Sequence, residues 1–63
     1  MRYRVEVKVA GEWDIIGSES DLDDAYGLYE GTLEDAFDDD VTDVRLFDVV
    51  ANMTIQEAEY KGA

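Results

Sequence analysis

The chain contains no cysteine, no histidine and no proline. Disulfides, thiolate and imidazole metal sites, thiol nucleophiles and histidine general bases are therefore excluded together, and most enzyme chemistry goes with them. Bases are scarce as well, five Lys and Arg in 63 residues, so there is little with which to neutralise a phosphate backbone or an anionic membrane. Long apolar runs are missing too. The longest is Val49-Val50-Ala51, far short of a membrane span or a signal segment, and a soluble cytoplasmic protein is expected.

What is present is acid. Seventeen Asp and Glu give a formal net charge of −12. The acids are sorted along the chain: residues 12 to 43 hold thirteen of them and not one base, while the segments on either side are close to balanced. Apolar residues still make up 46% of the chain, including seven aromatics, which is enough for a thin core and too much for a disordered acidic tail. No repeat or Pro-rich linker divides the sequence, so a single domain over residues 1–63 is expected.

Tyr3, Val5, Val7 and Val9 alternate with Arg2, Arg4, Glu6 and Lys8, the period of a half-buried strand. Ala10-Gly11-Glu12 marks a turn, and Trp13 to Ile16 predicts a second strand ended by Gly17. Ser20 with Asp23 reads as a helix cap, and Leu22, Ala25, Tyr26, Tyr29, Leu33, Ala36 and Phe37 then recur on one face at helical spacing. One helix over residues 21 to 38 follows. Thr32 could cap a second helix after Gly31, but the stripe stays in phase through Gly27 and Gly31. Val41 to Val50 predicts a strand with a bulge near Leu46-Phe47, and Met53 to Tyr60 a last strand in preference to a helix. The expected fold class is α+β, an antiparallel sheet in ββαββ order with one amphipathic helix on one face. Tyr26, Tyr29, Phe37 and Trp13 are expected in the core.

Sites of chemistry are hard to find. Asp38-Asp39-Asp40 suggests a calcium loop, yet Asp43 and Val49 fall where such a loop needs Gly and a bidentate Glu. No metal and no cofactor are expected. The hydroxyls have no base to activate them, and no phosphate-cradling glycine loop follows a strand. The chain does not read as an enzyme.

The acidic surface remains. A helix over residues 21 to 38 is about 27 Å long at 1.5 Å per residue, and it carries seven acids; one DNA strand presents roughly eight phosphates over that distance. On the helical wheel Gly27 and Gly31 lie opposite the core stripe, rimmed by carboxylates. Asp38, Asp39 and Asp40 fall at the helix C-terminus, where the dipole already disfavours negative charge. The candidate partner-binding residues are Asp24, Glu30, Glu34, Asp35, Asp38, Asp39 and Asp40.

With these acids, the chain resembles the DNA-mimic inhibitors that bacteriophages and mobile elements direct against host nucleic-acid machinery, the anti-restriction and anti-CRISPR proteins. The resemblance covers residues 12 to 43 and rests on charge layout. It implies a stoichiometric inhibitor, acting in the host cytoplasm, that occupies the basic nucleic-acid groove of a Cas or restriction-system subunit without binding nucleic acid or membrane itself. Two other readings stand beside it. One is a self-associating module, a homodimer that pairs strand edges and covers apolar surface on Val41 to Met53. The other is an acidic housekeeping domain from a high-salt cytoplasm.

Overall fold

A computed structural model describes residues 1–35 and 40–59. Four strands, β1 (Tyr3–Val9), β2 (Glu12–Glu19), β3 (Val41–Asp48) and β4 (Met53–Glu59), form one antiparallel sheet in the order β2-β1-β3-β4. A single helix, α1 (Leu22–Asp35), joins β2 to β3. It packs chiefly over β1, β2 and β3, with Ile55 of β4 at the margin of the core. The ββαββ order is that expected from the alternation and stripe of the sequence.

β1 sits at the centre because its valines alternate without a fault. Val5 and Val7 are buried under the helix with Val41, Val44, Leu46, Ala25 and Tyr29. The β1–β2 hairpin closes through Ala10 and Gly11, whose φ values of 53° and 84° are the two left-handed conformations that a tight two-residue turn requires. β2 does not stop at Gly17, as the sequence suggested. It continues to Glu19, because Val5 pairs with Gly17 and Glu6 with Ile15, leaving Ile16 as a bulge. Gly17 lies against Leu28 of the helix: a Cβ there would lie 2.7 Å from Leu28 Cδ2, so the Leu28 side chain would have to turn aside.

The helix starts one residue later than expected. The Ala25 N–H donates to the Asp21 carbonyl at 3.0 Å, which makes Asp21 the capping position, with Asp23 and Asp24 in the favoured first turn. α1 runs unbroken through Gly27 and Gly31. Thr32 caps nothing; its hydroxyl donates to the Leu28 carbonyl at 2.8 Å. The expected extension through Ala36, Phe37 and Asp38 lies outside the described residues.

β3 ends at Asp48 rather than Val50. The Asp48 carboxylate accepts the N–H groups of Val50 and Ala51 at 3.0 and 3.1 Å, which curls the chain into a turn completed by Asn52 at φ 54°. A register slip falls between Leu46 and Phe47 as expected, but the extra residue belongs to β4, where it is Ile55. Another slip, at Thr42, puts Val41 and Val44 on the same buried side. β4 is a strand, Met53–Glu59; Tyr60 lies outside the described residues.

Candidate functional site

Of the acids singled out in the sequence, Asp24, Glu30, Glu34 and Asp35 all lie on α1 and are all exposed, together with Asp23. Asp40 is exposed in the turn before β3. Asp38 and Asp39 lie outside the described residues. A 14-residue helix is about 21 Å long and carries five acids and no base, while one DNA strand presents roughly six phosphates over that length. The density match drawn from the sequence holds over the described part of the helix.

No helix acid has a counter-charge among the described residues, because the cations are engaged elsewhere. Arg2 makes a forked pair with the buried Asp48, Nη2 lying 3.0 Å from Oδ2. The Arg2 hydrogen bond, then the Ala51 N–H, holds the Asp48 carboxyl below its ordinary value. Arg45 Nε donates to Glu6 Oε1 at 2.5 Å. Arg4 Nε approaches Glu6 Oε2 to 2.6 Å without the alignment of a hydrogen bond. Arg4, Glu6 and Lys8 face away from the helix, opposite Val5 and Val7, and cross-strand pairing brings Ile15, Trp13, Phe47 and Arg45 onto that same side.

Trp13 is therefore not a core residue. It is half-buried on the far side of the sheet, where the Arg45 guanidinium stacks 4.0 Å from its ring centroid and Lys8 lies 5.8 Å away. Phe47 receives Arg45 at 4.9 Å and Arg4 at 5.3 Å. The uncovered sheet face is thus roofed by flat cation–aromatic contacts, with Glu6, only 3% exposed, as the shared anion beneath them. Three carboxylates, Asp43, Glu57 and Glu59, come within 4.8 Å of one another at one end of β3 and β4, adding negative charge at that end.

The other feature of the acidic side is a cleft of about 530 Å³ between α1 and the edge strand β2. Val7, Ile16, Leu28 and Val41 supply apolar walls, Gly27 and Gly31 open the helix side, and Asp35 stands within the lining. The glycines are exposed on the side of α1 away from the core, as the helical wheel places them, and also border this cleft. A Cβ on either one would meet nothing within 4 Å.

Of the candidate acids that the structure describes, all are exposed. Glu6, read on the polar side of a half-buried strand, is buried, and so is Asp48. The available signal was Glu6 sharing a strand face with Arg2, Arg4 and Lys8, which hold most of the chain's few cations. Ile16 falls on the helix side once Trp13 and Ile15 are known to face away from it, which the expectation of Trp13 in the core concealed.

No described helix is long and apolar enough to cross a membrane. Neither a protein-family model, a curated protein nor a solved structure matches the chain.

Proposed function

We propose that this protein is a stoichiometric, non-catalytic ligand of basic nucleic-acid-binding proteins, presenting the outer face of α1 in place of a polynucleotide backbone. The carrying observation is charge segregation: Asp23, Asp24, Glu30, Glu34 and Asp35 are exposed and without counter-ions among the described residues, while Arg2, Arg4 and Arg45 are locked to Asp48 and Glu6. A face of this kind projects an undivided negative field, steers a cationic groove onto itself and excludes the groove's own nucleic acid. Inhibition of a Cas or restriction-system subunit is the instance favoured by the resemblance to DNA-mimic inhibitors.

The test is competition. A panel of basic nucleic-acid-binding proteins, bacterial defence subunits among them, is titrated with DNA in the presence of the protein. Displacement that weakens steeply with salt and disappears in a Glu30→Lys/Glu34→Lys/Asp35→Lys variant supports the reading. Displacement that survives the triple reversal removes α1 from the mechanism.

Homodimerisation is a second reading, favoured by the apolar turn between β3 and β4. Val50 is 73% and Met53 56% exposed, close to Met1 through the Val49 N–H to Arg2 carbonyl bond. Light scattering at physiological salt gives twice the chain mass if this patch is self-covering.

A further inference from the structure

Two glycines one helical turn apart weaken a helix, and nothing within the fold demands them. An added Cβ at Gly27 or Gly31 meets no atom within 4 Å, in contrast to Gly17, where the same atom would press on Leu28. Their effect is to keep open the cleft that Val7, Ile16, Leu28 and Val41 line with apolar surface. Its volume, about 530 Å³, lies in the range of pockets that bury a ligand, about 300–1,000 Å³. Asp35 is part of the lining, no Lys or Arg is among the described lining residues, and Glu30 and Glu34 stand exposed on the same helix.

We infer that this cleft seats an apolar side chain from a basic amphipathic segment of the partner protein, whose flanking Lys or Arg residues reach Glu30, Glu34 and Asp35. The inference rests on the acidic-face reading and adds a specificity pocket to it. Field strength alone attracts any polycation; an apolar socket beside the acids distinguishes a segment that carries a matching side chain. A second copy of this chain fits poorly, because among the described residues Arg2, Arg4 and Arg45 are held in ion pairs with Asp48 and Glu6, and Lys8 lies over Trp13 on the far sheet face. A neutral apolar ligand would leave the acids beside the cleft unmet.

Two fluorescent peptides of equal length and charge make the test: an amphipathic Leu/Lys helix former and a Gly/Lys peptide without apolar side chains. Anisotropy at 150 mM KCl gives the affinities, and amide shifts of labelled protein give the location. The Leu/Lys peptide should bind at least tenfold more tightly, with shifts centred on Ile16, Gly27 and Gly31. Filling the cleft by Gly27→Leu/Gly31→Leu should abolish that tenfold preference while leaving Gly/Lys binding unchanged. Ile16→Lys, which leaves the helix intact, should do the same from the β2 wall. Equal affinity of the two peptides, or a preference that persists in both variants, overturns the cleft while the acidic face stands. If neither peptide binds, the acidic-face reading itself is overturned and the cleft inference falls with it.

Discussion

Glu6 is the buried anion beneath the cation–aromatic roof, and its neutralisation should remove a large share of the domain's stability. In Glu6→Gln the Arg4 and Arg45 guanidiniums, at 2.6 and 2.5 Å from separate Glu6 oxygens, lose the charge that holds them together over Phe47. Breaking a buried ion pair from one side costs about 3–5 kcal/mol. Because the Arg4 side chain is 32% exposed and water screens part of its loss, the lower end applies, about 3 kcal/mol. A domain this small has only about 3–9 kcal/mol of total stability at 0.05–0.15 kcal/mol per residue. At 4–8 °C per kcal/mol, thermal melts followed by circular dichroism should shift down by roughly 12–24 °C. Replacing the whole trio, Arg4→Met/Glu6→Leu/Arg45→Met, leaves no unpaired charge and should recover most of that loss. Partner binding through α1 should be unchanged in the recovered variant. A Glu6→Gln melt within about 2 °C of the native one would show that the trio does not hold this face, since a loss of about 3 kcal/mol converts to several times that shift.

The glycines of α1 give the opposite sign: Gly27→Ala and Gly31→Ala should each raise stability by about 1 kcal/mol in urea unfolding. Gly17→Ala should change stability by less than about 1 kcal/mol in the same assay, since the added Cβ meets only the Leu28 side-chain tip, which can turn aside. Asp48 has its carboxyl pulled below the ordinary 3.8 by Arg2, so its contribution is present above pH 3.8 and lost as pH falls through the lower folded value. The melting gap between native protein and Asp48→Asn should accordingly be constant from pH 7 to 5 and close below 4. Burial, reinforced by Glu57, pushes the Tyr29 hydroxyl above its ordinary 10.0; its contribution is intact below pH 10 and declines above it, and tyrosinate absorbance should show one tyrosine ionising late, together with unfolding. Salt separates function from habitat: between 0.1 and 1 M KCl the melting temperature should rise modestly from an already folded state, whereas a domain that folds only in molar salt carries its acids as salt adaptation.

The fold was legible because each element states its period plainly. Val5 and Val7 alternate with Arg4 and Glu6, and Leu22, Ala25, Tyr29 and Leu33 return at helical spacing; binary pattern and length leave one antiparallel solution. The bulges were less legible. Ile16 and Thr42 each shift the parity of the rest of their strand by one residue, and a bulge depends on cross-strand register, which one strand's sequence does not contain. Trp13 went astray for the same reason in another form: a large aromatic is expected inside a small core, and only the pairing of Lys8 with Trp13 and of Glu6 with Arg45 shows that the second sheet face is closed by stacked cations rather than by a second layer. The acids of α1 were legible as a cluster, the cleft beside them was not, since Gly27 and Gly31 alone do not say what stands across from them.

Several departures from local preference fall on one strip of the molecule. Glu34 and Asp35 occupy the last described turn of α1, which contains no base. Glu30 and Glu34, four residues apart, repel by a few tenths of a kcal/mol. Gly27 and Gly31 together forgo about 2 kcal/mol relative to alanine, with no atom within 4 Å to require them. Arginines that could have offset the acids are instead paired with other carboxylates, Arg4 and Arg45 with Glu6 on the far sheet face and Arg2 with Asp48. Elsewhere the chain obeys the rules: Asp23 and Asp24 sit at the favourable end of the same helix, the hairpin turn has its two left-handed residues, and the buried acids have their cations. On the proposed reading, compensation for that strip comes from a partner. A cationic partner with an apolar side chain to place beside Gly27 and Gly31 removes both costs at once, which neither a second copy of the chain nor a neutral ligand does.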